Sequence, residues 1–114
     1  MSSPEPRVVY QVRDFDLGRD FYKRVLGFAE TYIDFDERWA TLSNGGMHIA
    51  ITQGEPDKES GVAMVDVEDV KAEAERLRAA GVKVGTVVEL AGEMRLVDLF
   101  DPDGNRIQLA QALV

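Results

Sequence analysis

Apolar positions along this chain alternate in short runs and, in two places, recur with helical spacing. Val8-Val9-Tyr10-Gln11-Val12 is β-branched and aromatic, predicts a strand, and runs into Asp14-Phe15-Asp16, where a short acidic side chain can cap a helix. From Leu17 onward Phe21, Tyr22, Val25 and Leu26 form one helical stripe, and Gly27 supplies the left-handed residue that ends it. Strands are expected over 30–34, 38–42 and 47–51, with Ser43-Asn44-Gly45-Gly46 as the turn between the last two. The polar stretch that follows carries Gly54, Pro56 and several charges and reads as a linker. Then the pattern restarts. A strand over 62–67 leads to Asp69, a second candidate cap, and to the helical stripe Val70, Ala74 and Leu77, which ends at Ala80-Gly81. Further strands fit 82–88, 94–100 and 106–110, the last two joined by the turn Asp101-Pro102-Asp103-Gly104-Asn105.

The second half repeats the first in element order and in residues. Val12-Arg13-Asp14-Phe15 matches Val67-Glu68-Asp69-Val70, Gly27 matches Gly81, and Gly46-Met47-His48-Ile49 matches Gly104-Asn105-Arg106-Ile107. The expected fold is α+β: two βαβββ modules in tandem within a single domain over 1–114, module one at about 7–53, a linker at about 54–61 and module two at about 62–112.

Composition narrows the partners. Thirteen Lys and Arg stand against 21 Asp and Glu, and the formal charge of -8 repels phosphate backbones and anionic lipid, so neither nucleic acid nor membrane is expected as a partner. There is no cysteine, which excludes disulfides, thiolate metal sites and cysteine nucleophiles. The first residues lack the basic patch and apolar run of a secretory signal, and no stretch approaches the roughly 20 apolar residues that span a bilayer; a cytoplasmic protein is expected.

Phe21-Tyr22-Lys23-Arg24-Val25-Leu26-Gly27-Phe28 after a short strand, together with Asp101-Pro102-Asp103-Gly104-Asn105-Arg106-Ile107-Gln108-Leu109 near the end, resembles the vicinal oxygen chelate superfamily of glyoxalases, extradiol dioxygenases and bleomycin-resistance proteins. The resemblance runs from Val8 to Ala110. It implies sheets curled around a cavity with the helices outside, a small-molecule ligand or substrate within, and a homodimer that brings modules of different subunits together. It also implies, for the family's enzymes, a divalent metal on the first and last strands of each module. Carried onto this chain, those positions are Arg7 or Val8, Ala50, Val62 and Gln108. None is His, Asp or Glu, and one amide oxygen does not hold an ion that needs three or four protein contacts. No metal and no other cofactor is therefore expected.

If the positions that the resemblance turns toward the cavity, Ala50 first among them, point inward, alternation places His48 and Thr52 on the same inner face, Val9 and Gln11 on another strand's, Val62, Met64 and Asp66 on a third, and Arg106, Gln108 and Ala110 on the last. The candidate ligand-binding residues are Gln11, Trp39, His48, Met64, Asp66, Arg106 and Gln108, with Trp39 or Phe35 as a stacking surface. His48, the single histidine, suits hydrogen bonding or proton transfer, although a histidine satisfied by neighbours is the plainer reading. Asp98 is expected to pair with Arg95 or Arg106, and the charges of 71–78 to pair along a solvated helix face at spacing four. No catalytic residue is assigned, and whether the protein is an enzyme stays open. One reading is metal-independent sequestration of a drug or metabolite, as in bleomycin-resistance proteins. The alternative is a glyoxalase, dioxygenase or isomerase with an atypical metal or acid-base site. A third, an interaction module with a filled cavity, predicts apolar side chains plugging the groove.

Overall fold

The computed structural model describes residues 6, 8–57 and 61–113. Nine strands and two α-helices form two mixed sheets, and neither closes into a barrel. The first sheet holds β1 (Val8–Val12), β2 (Ala29–Asp34), β3 (Trp39–Asn44) and β4 (Met47–Gln53) in the order β1-β4-β3-β2. In the second, β5 (Ala63–Asp66), β9 (Arg106–Ala112), β8 (Met94–Phe100) and β6 (Lys83–Val84) lie in that order, with β7 (Val88–Leu90) also paired to β8. In each half the first strand pairs parallel with the last, Val9 beside Ala50 and Met64 beside Gln108.

The halves repeat down to single hydrogen bonds. Asp14 caps α1 (Phe15–Asp20) by accepting from the Leu17 N–H at 3.0 Å, and Asp69 caps α2 (Val70–Ala79) by accepting from the Ala72 N–H at 3.1 Å. A glutamine from each module's last strand then takes the first helical N–H: Phe15 donates to Gln53 Oε1 and Val70 to Gln111 Oε1, both at 3.0 Å. Gly27 and Gly81 take positive φ, 78° and 86°, just past the helical segments.

Three sequence expectations need correction. The first helix does not run as one α-stripe from Leu17; it widens after Asp20 into a π turn, Phe21–Val25, and Leu17 is exposed. The wider turn accounts for the mixed spacing of four and five, because it buries the adjacent pair Phe21 and Tyr22 together. The strand expected over 82–88 is broken into β6 and β7, and at the break the Gly85 N–H donates to the Asp98 carbonyl at 2.8 Å. On α2 the resolved ion pair is Arg76 with Glu73, at spacing three rather than four.

One apolar core runs through both halves. Val8, Tyr10, Val12, Ala40, Leu42, Ile49 and Ile51 of the first sheet join Ala63, Val65, Val97, Leu99, Ile107 and Leu109 of the second, with the helical Phe15, Tyr22, Val70, Ala74 and Leu77 between them. At Gly18 the helix lies tight against β1, since a Cβ there would stand 2.7 Å from Val12 Cγ2.

The junction between modules is polar and fully paired. Tyr10 and Tyr22 stack with centroids 5.7 Å apart. The Tyr10 hydroxyl donates to the Arg106 carbonyl and accepts from the Ala63 N–H at 2.9 Å. The Tyr22 hydroxyl donates to Asp101 Oδ2 at 2.8 Å, and Asn105 Nδ2 reaches both that oxygen and the Gln11 carbonyl. Asp101 Oδ1 accepts from the N–H groups of Asp103 and Asn105. The motif Asp101-Pro102-Asp103-Gly104-Asn105 is therefore a clasp as well as a turn: its Asp101 and Asn105 are buried and tie module two to β1 and the π turn.

Elsewhere, Arg19 is doubly bonded to Glu30 at 2.8 and 2.9 Å, and these hydrogen bonds, reinforced by the guanidinium charge, hold the Glu30 carboxyl below the usual carboxylate range against the opposing effect of its burial.

Candidate functional site

Because side chains alternate and the helices cover one face of each sheet, the opposite faces are left open. On the first sheet the register sets Trp39 beside Thr52 and Thr52 beside Gln11; the next row is Thr41, Ala50 and Val9, and the next Ser43 and His48. On the second sheet the rows are Asp98, Gln108 and Met64, then Val88, Leu96, Ala110 and Asp66, then Leu90, Met94 and Ala112. Arg106 shares that face at the end of β9.

The seven sequence-predicted residues thus divide between two surfaces: Gln11, Trp39 and His48 on the first sheet, and Met64, Asp66, Arg106 and Gln108 on the second. Met64 and Asp66 also line a cleft of about 370 Å³ against the β3–β4 turn, Asn44 to Met47. Arg106 and Gln108 converge on one carboxylate, Arg106 Nε at 3.1 Å from Asp98 Oδ2 and Gln108 Nε2 at 3.1 Å from Asp98 Oδ1. Arg106 is therefore the partner of Asp98, while Arg95 pairs with Glu89 across β7 and β8. Phe35 does not join Trp39 on the open face; its ring sits 5.3 Å from the Arg19 guanidinium. Leu96, Val88 and Leu90 are open-face residues that the sequence reading did not name; alternation along β8 would have found Leu96, whereas Val88 and Leu90 depend on the pairing of β7 with β8.

A separate cleft of about 580 Å³ lies at the outer junction, lined by Phe21, Val25, Val82, Lys83, Phe100 and Pro102 among others, and contains none of the predicted residues.

The metal-bearing positions implied by the family can now be tested. Val8 is buried in the core, Ala50 offers only a buried methyl and Val62 only hydrocarbon, which leaves the carbonyl oxygen of Gln108 as the single donor among these four positions. Arg7 lies outside the described residues. Among the described residues no three of His, Asp and Glu gather to hold an ion, and the guanidinium of Arg106 stands beside the one amide donor. This donor set does not fit a divalent cation.

Two mixed sheets from tandem βαβββ modules, helices on one side and a half-polar open face on the other, define a vicinal oxygen chelate protein. Residues 6–109 match the Glyoxalase/Bleomycin resistance protein/Dioxygenase superfamily, and the chain belongs to that family. No curated protein matches the sequence. Among solved structures it is similar to the fosfomycin resistance protein FosX from Listeria monocytogenes complexed with Mn(II) and sulfate ion, at 20% identity and TM-score 0.77 over 98% of this chain and 92% of that one. It is also similar to the bleomycin resistance determinant encoded on transposon Tn5, at 18% identity and TM-score 0.74 over 99% and 100% of the two chains. A third is TnmS3, an antibiotic binding protein from Streptomyces sp. CB03234, at 23% identity and TM-score 0.72 over 98% of each chain. At these identities the likeness establishes the fold. No described helix is long and apolar enough to cross a membrane.

Proposed function

We propose that this protein is a metal-independent small-molecule binder that works as a homodimer, each ligand lying between the open face of the first sheet of one subunit and that of the second sheet of its partner. The observation that carries the reading is the composition of those faces. They combine apolar floor, Val9, Met64, Leu96 and Ala110, with the flat ring of Trp39 and oriented polar groups, Gln11, Thr52, His48 and Gln108, and lack a donor set for an ion. Binders among the family's relatives, the bleomycin resistance determinant and TnmS3, support the reading, and the acidic charge favours cationic or neutral ligands over anions. Neither nucleic acid nor lipid fits that charge, and a cytoplasmic setting agrees with it.

The exposed side chains support the dimer. Val9, Met64, Leu90 and Val88 are 39, 41, 47 and 48% exposed on faces that the described helices leave open. Apolar surface of this kind on a small domain is ordinarily buried by a partner. Native mass spectrometry and light scattering at micromolar concentration are expected to show a dimer of about 25 kDa, twice the 12.7 kDa chain. The double variant Val88→Asp/Leu90→Asp is expected to be a monomer with unchanged circular dichroism. A monomeric wild-type protein would overturn the shared site.

A further inference from the structure

We infer that Asp98 is a specificity-determining positioning residue, which sets Gln108 and Arg106 to recognise a neutral ligand edge with an N–H beside a C=O: a carboxamide, lactam or imide. The inference rests on the small-molecule reading above and adds the ligand's chemical class.

An ionised carboxylate only accepts hydrogen bonds, so Gln108 must turn its NH2 group toward Asp98, at 3.1 Å, and its carbonyl Oε1 away. The Arg106 guanidinium forms an ion pair with the same carboxylate, its Nε 3.1 Å from Asp98 Oδ2, and its Nη groups make no hydrogen bond to another described residue. One carboxylate thus fixes an outward acceptor and outward donors as neighbours. They stand beside Met64, which is level with Gln108 across β5 and β9, and beside the row of Leu96, Ala110 and Asp66, whose carboxylate adds a second negative charge against an anionic ligand.

Charge decides among ligand classes. A carboxylate ligand would gain the guanidinium, but it would set its second oxygen against Gln108 Oε1 and its charge beside Asp98. An ammonium ligand would gain Oε1 but sit next to Arg106. A neutral amide edge satisfies both sides, its N–H donating to Gln108 and its C=O accepting from Arg106. Arg106 and Asp98 are 48 and 33% exposed, so solvent screens part of the discrimination.

The test uses three probes of one shape, benzamide, benzoate and benzylammonium, titrated into the full-length dimer and followed by amide and side-chain NMR. Benzamide is expected to shift Gln108 and Arg106 resonances and to bind about tenfold tighter than the other two, the scale of one hydrogen bond left unpaired. In Asp98→Asn the amide of Gln108 is free to flip and the guanidinium is released, so benzamide weakens and benzoate gains; Asp98→Glu restores the original order. Gln108→Leu loses benzamide without gaining benzoate. A residue with a merely structural role would weaken all probes alike. Benzoate or benzylammonium binding tighter in the wild type, an order unchanged in Asp98→Asn, or no shift with benzamide would each overturn the inference. Any probe shifting open-face resonances in the wrong order leaves the small-molecule reading standing, and the dimer measurement tests that reading separately.

Discussion

Replacing Asp101 with alanine is expected to cost the fold about 3 kcal/mol or more, the largest loss of any single polar substitution in the protein. Its two oxygens accept from four donors: the Tyr22 hydroxyl, the Asn105 side-chain amide and the N–H groups of Asp103 and Asn105. Alanine strands all four at a site where Tyr22, Asp101 and Asn105 are buried, and a stranded donor loses its full desolvation energy rather than the modest net value of a bond. Damage also spreads, because Asn105 loses the anchor that aims its amide at the Gln11 carbonyl. Asp101→Asn keeps one accepting oxygen and should fall between. Urea unfolding at neutral pH reads the effect, and a loss under about 0.5 kcal/mol, the scale of an ordinary surface substitution, would show that the clasp does not hold the modules.

The second large effect is loss of stability in alkali. Burial pushes the Tyr10 hydroxyl from its ordinary 10.0 up to about 12, with smaller opposing contributions from Ala63 and Arg106 and a reinforcing one from Asp101. Burial, reinforced by the charge and hydrogen bond of Asp101, pushes the Tyr22 hydroxyl well above its ordinary value. Both groups hold their protons more tightly when folded than when unfolded. Their contribution is therefore complete below about pH 10, where phenols in the unfolded chain are protonated, and is lost as the pH rises toward and through the folded values. For Tyr10, two units correspond to about 3 kcal/mol across that window, and Tyr22 adds to it. The urea midpoint should fall steeply above about pH 10 in the wild type, and Tyr22→Phe, though less stable at neutral pH, should show a shallower fall. Equal slopes in the two proteins would mean that buried phenols do not set the alkaline limit.

Local rules reach some of this architecture from sequence and stop short of the rest. Asp14 and Asp69 were legible as caps because capping needs only a short acceptor ahead of a helical stripe. Gln53 and Gln111, which make the same kind of bond from the other end of each module, were not, since their partners lie 38 and 41 residues away. Likewise the turn chemistry of Asp101 to Asn105 was readable, but its role as a clasp depends on Tyr22, 79 residues distant. The break between β6 and β7 was missed because a single glycine, Gly85, interrupts a stretch that is otherwise rich in β-branched residues and holds no proline.

The open faces were more accessible. Period-two alternation assigned Gln11, His48, Met64, Asp66, Arg106 and Gln108 to them without knowledge of either sheet. The same rule would have settled the partner of Asp98, because Arg95 lies an odd number of positions away, on the opposite face of β8, whereas Arg106 shares the open face. Residue identity alone gave no means of knowing that Gln108 bonds its amide nitrogen to Asp98, which fixes the direction of its carbonyl oxygen.

Whether this protein works without an ion is decided most directly by elemental analysis of the untagged protein, purified without chelator and dialysed against equimolar Mn, Fe, Ni and Zn. Hydrocarbon at Ala50 and Val62, which leaves a single amide oxygen at Gln108 with the Arg106 guanidinium nearby, predicts no stoichiometric metal and a melting temperature unchanged by any of the four. One equivalent of any of them per subunit, retained through dialysis and raising the melting temperature, would contradict the account and place the chain with metal-dependent relatives.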